Sequence, residues 1–188
     1  IIDQSTQYSN QVLQNSGLLS YWRLDDMPGS TTAVDTKSGR SGTYQNGTLL
    51  GQPGALSTDS NTAAGFDGVN DQIALPSLPA ATDFTIEGWQ KLDPSTPAST
   101  NNTLYGGSGT VRLMPRTAGF YVGVHIEGTE YVQPATTASN LGQQVHGAMV
   151  RNGSNLHLYS NCHMVTSKYS LPITYATHNA YRCPLLTL

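Results

Sequence analysis

The chain has 188 residues, enough for one domain with a core of its own and no need of a metal or disulfide staple. Only 11% of its residues are Asp, Glu, Lys or Arg and its formal net charge is −3, against roughly 25% charged residues in an average soluble domain. No basic stripe is present to meet a nucleic-acid backbone, and no apolar run approaches the ~18 residues of a membrane-spanning helix.

The chain starts at Ile1 without a methionine and carries no leader-like apolar run, so it reads as a processed product or as part of a longer polypeptide. The stretch STQYSNQVLQNSG, residues 5–17, is the one helix candidate. Ser5 stands at the N-cap position, Tyr8, Val12 and Leu13 share a face, and Gly17 marks the stop. From there Gly and Pro recur every few residues, and no apolar stripe persists for three helical turns.

Short runs of strand character follow in order. They are LLSYWRL (18–24), TAAGF (62–66), DQIAL (71–75), DFTIEGWQKL (83–92), TVRLM (110–114), GFYVGVHI (119–126), QQVHGAMV (143–150) and NLHLYS (155–160). Residues 151–154 separate the last two and contain Asn152-Gly153, a strong tight-turn pair, so these runs form a hairpin. Residues 94–102 read as a polar loop. No period of 20–50 residues repeats, which excludes a propeller or solenoid.

Many short strands with closely spaced turns predict an all-β fold, an antiparallel two-sheet β-sandwich (jelly roll) with a short N-terminal helix. Alternation then assigns faces. Phe84, Ile86 and Gly88 share one side of their strand; Thr85, Glu87, Trp89 and Lys91 share the other. Phe120, Val122, Val124 and Ile126 look inward, with Tyr121 and His125 turned away. Leu156 and Leu158 oppose His157 and Tyr159. The apolar sets are expected in the core and the polar sets on outer faces.

Several phrases, taken in order, resemble one family. YSNQVLQNSGLLSYWRLDD (8–26), VDTKSGRSGTYQNGTLLGQPGAL (34–56), AGFDGVNDQIALP (64–76), DFTIEGWQK (83–91) and QQVHGAMVRNGSNLHLYSN (143–161) are similar to successive segments of laminin-G-like, concanavalin A-like jelly rolls of bacterial secreted and phage virion proteins. In that opening segment a short helix leads into a strand bearing Tyr-Trp-Arg-Leu, here Tyr21, Trp22, Arg23 and Leu24. The likeness implies an arm with a short helix over residues 1–17 and a sandwich over 18–188. The departures are late: Val145 stands where a Trp is usual, Cys162 where a Gly is usual, and the final strand is not recognisable in HNAYRCPLLTL.

The fold class includes glycoside hydrolases that place paired acids on one strand, one to protonate the leaving oxygen and one to attack or to activate water. The only glutamates are Glu87, Glu127 and Glu130. Glu87 is alone on its strand, and EGTE (127–130) has the wrong spacing and falls at a predicted turn. No G-x-S-x-G elbow is present. Cys162 and His163, adjacent on a strand, point to opposite faces. His125, His146, His157, His163 and His178 are dispersed. The expectation is a chain that is not an enzyme.

Two ligand classes are open. A sugar site needs an aromatic face beside polar side chains, and Trp89 with Glu87 and Thr85 on one strand face is such a set, extended by Tyr121 and Tyr159; packing within the sandwich is the competing role for Trp89 and for Trp22. Ten Tyr against three Phe suits glycan and protein contact equally. Calcium is the candidate cofactor: Asp67, Asn70 and Asp71 offer hard oxygens in one bend, although a tight turn demands the same residues. Cys162 and Cys183 either pair, closing a loop of about 20 residues at ~3 kcal/mol of stabilisation, or remain two buried thiols.

The expected role is a non-catalytic recognition module, extracellular or on a virion surface, whose partner is a glycan or cell-surface polymer. The alternative is a structural virion or filament subunit that contacts other virion or surface-protein subunits, a reading favoured by an unmatched last strand that would leave an open sheet edge.

Overall fold

The structure, a computed structural model, describes residues 4–56, 60–79, 81–95, 105, 112–116, 121–126, 129–134, 142–153, 155–161 and 163–166. The chain divides into two compact units, the first running through Pro79 and the second beginning at Ala80.

The first unit opens with helix α1 (Gln4–Leu13). The helix already includes Ser5, so that residue is not its cap, and it ends before the expected stop at Gly17. Asn15 takes over the exit: its amide bonds the Val12 carbonyl at 3.1 Å, and its side-chain oxygen accepts the Gly17 amide at 3.0 Å. The expected strand over 18–24 is also absent. Trp22 alone makes a β-bridge, to Asp35, and Leu24 sits at φ 60°, a left-handed conformation that breaks an extended run.

The remaining elements of this unit are β1 (Thr32–Ala33), β2 (Gly42–Gln45), β3 (Leu49–Pro53), β4 (Thr62–Gly65) and β5 (Gln72–Ala74). They form a three-stranded sheet in the order β1-β2-β5 and a two-stranded sheet β3-β4, all antiparallel. The register between β3 and β4 shifts between Leu49 and Gln52, where Gly51 at φ 78° supplies the turn of a bulge.

Asp35 organises this unit. Its Oδ1 accepts the amides of Tyr21 at 2.8 Å and Lys37 at 2.9 Å. Its Oδ2 accepts the Ser38 hydroxyl at 2.6 Å and the Arg40 amide at 3.0 Å. Trp22 is held alongside by its indole N–H, which donates to the Arg40 carbonyl at 2.9 Å. Tyr44 donates its hydroxyl to Asp26 at 2.7 Å. Burial and the Asp26 carboxylate together push the Tyr44 phenol well above its usual range.

The second unit contains β6 (Phe84–Lys91), β7 (Arg112–Arg116), β8 (Tyr121–Ile126), β9 (Thr129–Pro134), β10 (Gln144–Asn152), β11 (Asn155–Ser160) and β12 (His163–Thr166). Two antiparallel sheets result, in the orders β12-β11-β10-β6 and β7-β8-β9. They approach one another where β10 and β11 pass β8 and where β12 passes β9. The all-β, antiparallel, sandwich reading of the sequence stands.

The β10–β11 hairpin forms as expected, but its turn lies one residue later than the Asn-Gly signal alone suggests. Asn152 pairs with Asn155, so Gly153, at φ 58°, is the first turn residue. Asp83 fastens this turn by accepting the Gly153 amide at 2.6 Å. Thr129 and Glu130, expected in a turn, lie on β9, with Glu130 opposite His125.

The registers bring Ile86, Met149 and Leu158 into one cross-strand row. Met149 and Leu158 are wholly buried, with Val145 nearby on the same strand face as Met149. Each such side chain contributes about 2 kcal/mol by leaving water. β10 is paired along both edges, by β11 and β6, and its side chains are buried on both faces: His146, Ala148 and Val150, on the face opposite Met149, are buried as well. His146, one of the dispersed histidines of the sequence, is thus a buried one.

Candidate recognition face on strand β6

Period-two alternation places Thr85, Glu87, Trp89 and Lys91 on one face of β6, as the sequence indicates. Pairing with β10 and β11 builds three rows across that face. Trp89 stands opposite His146; Glu87 opposite Ala148, which is in turn opposite Tyr159; Thr85 opposite Val150, which is opposite His157. Cross-strand pairs at this spacing touch side chain to side chain.

The Trp89 and His146 rings lie with centroids 5.1 Å apart and planes tilted by 59°. His146 is 3% exposed, so it packs beside Trp89 as a buried neighbour and not as a solvent-facing group. Its position is fixed at the backbone by Asn161: the His146 amide donates to the Asn161 side-chain oxygen at 3.0 Å, and the Asn161 amide donates to the His146 carbonyl at 2.8 Å. Asn161 adopts φ 45°, one of the left-handed positions that Asn tolerates better than most residues.

Glu87 and His146 stand 3.9 Å apart, Oε2 to Nε2, too far for a hydrogen bond. Burial pushes the His146 imidazole below its usual range and the Glu87 carboxyl above its own. Both shifts disfavour the charged forms, and 37% of the Glu87 side chain is open to solvent against 4% of the His146 side chain. Thr85 and Lys91 are exposed, and Trp89 and Tyr159 are half-buried. The accessible groups therefore follow β6, with Tyr159 across the sheet. His157 completes the face; its Nδ1 is buried and has no hydrogen-bond partner among the described residues.

Of the five residues singled out for sugar contact, Thr85, Glu87, Trp89 and Tyr159 thus share one face. Tyr121 begins β8 in the other sheet, opposite Arg116 and Pro134. His146 and His157 belong to the face but were dispersed histidines in the sequence. The available signal was alternation within QQVHGAMV and NLHLYS; the cross-strand register was missing.

The candidate calcium bend has another occupation. Asp67 Oδ1 accepts the amides of Val69 at 2.8 Å and Asn70 at 3.3 Å, which hold its carboxyl below the usual range, the Val69 bond contributing most. Asp71 Oδ2 accepts the Asp67 amide at 3.1 Å, and the Asn70 carbonyl accepts the Asn46 side-chain amide at 2.7 Å. These oxygens close the turn and fasten it to Asn46-Gly47, although Asp71 Oδ1 is buried with no hydrogen-bond partner among the described residues. Among the described residues no group of three or more His, Cys, Asp or Glu side chains is placed to hold an ion. Cys162 and Cys183 lie outside the described residues, so their pairing stays as the sequence leaves it.

No family model matches the chain, and no curated protein matches it. Among solved structures it is similar to domain 4 of AbnA, a GH43 extracellular arabinanase from Geobacillus stearothermophilus, solved in complex with arabinotriose. The TM-score is 0.57 at 18% sequence identity, over 73% of this chain and 70% of that one. At that identity the likeness is one of fold: a β-sandwich. Among the described residues, no helix is long and apolar enough to cross a membrane.

Proposed function

We propose that this chain is a non-catalytic carbohydrate-recognition module of an extracellular protein, and that its site is the β6 face. The observation that carries the reading is the set Thr85, Glu87 and Trp89 on one strand, with Tyr159 across the sheet and Trp89 propped by buried His146. An aromatic ring gives a sugar its apolar contact, and the flanking carboxylate and hydroxyls take its hydroxyl groups. The fold shared with a domain solved in complex with arabinotriose supports the same reading, as do the ordered phrases that resemble laminin-G-like jelly rolls.

The carboxylates favour binding over hydrolysis. Glycoside cleavage needs two acids flanking one bond at about 5–10 Å. Glu87 stands on the β6 sheet, whereas Glu130 stands on β9 of the other sheet. Among the described residues, Glu87 faces the His146 imidazole and not a second acid.

Isothermal titration with arabinotriose, and pull-down on a panel of insoluble plant and bacterial polysaccharides, test the proposal. Binding to at least one of them, weakened at least tenfold in Trp89→Ala, is the expected result. A folded protein that binds none of them at high micromolar concentration overturns it.

A further inference from the structure

The accessible side chains along β6 differ in charge: Thr85 is neutral, Glu87 is acidic and Lys91 is basic. Thr85 to Lys91 spans about 20 Å of extended strand, room for several consecutive sugar units of a linear chain. Over that length Glu87 is the only acid on the face among the described residues, and it lies next to the Trp89 position where a sugar ring stacks. Its opposite neighbour is Ala148, which brings no donor and no charge. His146, 3.9 Å away, is buried and neutral, so it brings no compensating cation. Lys91, four residues along the strand, is about 13 Å from Glu87, beyond the ~8 Å screening length of physiological salt. Among the described residues, a sugar over Trp89 therefore meets a partly desolvated Glu87 carboxylate with no cation beside it.

Such a carboxylate accepts hydrogen bonds from sugar hydroxyls and repels a second carboxylate. We propose that Glu87 is a specificity-determining residue that selects uncharged, hydroxyl-rich linear polysaccharides and rejects polymers of uronic acids. This inference rests on the β6 face being the glycan site. Like charges brought together in a partly water-excluded contact weaken binding strongly, and the effect declines with salt.

The test compares the intact chain on two soluble polymers of matched length: linear arabinan, which is neutral, and polygalacturonate, which is acidic. Titrations are run at about 10 mM and about 1 M ionic strength. The expected result is an affinity for arabinan at least about tenfold above that for polygalacturonate at low salt, with the gap narrowing at high salt. In Glu87→Gln the ratio is expected to fall at least about fivefold, with thermal melting confirming the fold. Equal affinities for the two polymers, a ratio indifferent to salt, or a ratio unchanged in Glu87→Gln overturns the inference while leaving the glycan reading in place. If neither polymer nor any member of the polysaccharide panel binds, the glycan reading fails and takes this inference with it. The salt series alone decides the matter should Glu87→Gln not fold.

Discussion

The Trp89 ring packs beside the His146 imidazole at 5.1 Å between centroids, so a half-buried aromatic of the β6 face is positioned by a residue that is itself buried. A tilted aromatic pair of this kind is worth about 0.5–1.5 kcal/mol beyond the area it buries. Replacing His146 with Ala removes that contact and leaves a gap beside the indole. The expected outcome is a stability loss of about 2 kcal/mol in urea unfolding, together with weaker glycan binding, since Trp89 loses its fixed orientation. Unchanged binding in a folded His146→Ala protein would show that Trp89 is held by other contacts.

Titration of the same residue gives a second prediction. Burial lowers the folded-state pKa of His146 below the unfolded value near 6.5. A depressed pKa means stability that is present above the unfolded value and lost as pH falls through the folded one. Acidification from pH 6.5 downward therefore weakens the second unit through His146. Glu87 acts in the opposite sense: its raised pKa favours the folded state below about pH 4.5, and that contribution is lost as pH rises through its folded value. Imidazole NMR should show His146 titrating below the unfolded-peptide value. A curve centred at or above that value contradicts the prediction.

Asp35 carries the third prediction. Burial by itself would push its carboxyl up, but the Ser38 hydroxyl and the amides of Tyr21, Lys37 and Arg40 outweigh burial and hold it well below the usual carboxylate range. Each oxygen accepts two donors, and Asn at this position has only one oxygen. Asp35→Asn thus sets an NH2 group against two donors, at a cost of about 3 kcal/mol. The folded pKa is depressed, so this stabilisation is present above about pH 3.9 and is lost as pH falls through the lower folded value. Denaturant melts at pH 7 and pH 3 should show the variant losing more at pH 7 than at pH 3.

Gly54 supplies the fourth. A methyl group there would run into the Asn61 carbonyl oxygen, which is backbone and cannot swing aside. Gly54 follows β3 directly, next to the Pro53–Thr62 pair that ends the β3–β4 ladder. Gly54→Ala is expected to cost more than 2 kcal/mol and to raise amide exchange along Thr62–Gly65. An unaltered melting curve would mean that the chain yields at this point without loss.

The sequence by itself determined the local facts of this protein. Alternation in FTIEGWQK set which residues share a face of β6, because side chains on a strand must point to opposite sides in turn. Asn152-Gly153 marked the β10–β11 hairpin, because its turn needs a residue that accepts positive φ. Where local signals competed, sequence alone misled: the apolar run 18–24 makes only the Trp22–Asp35 bridge, since Leu24 leaves the extended region. Tertiary structure decided the rest. His146 meets Trp89, and Ala148 lies between Glu87 and Tyr159, through the pairing register of strands far apart in the chain. Asp35 and Asp67 are both turn-like acids in sequence, yet one gathers donors inside the first unit while the other closes an exposed bend. Pairing between distant strands depends on how the whole set of elements packs, and no short window of residues contains that information.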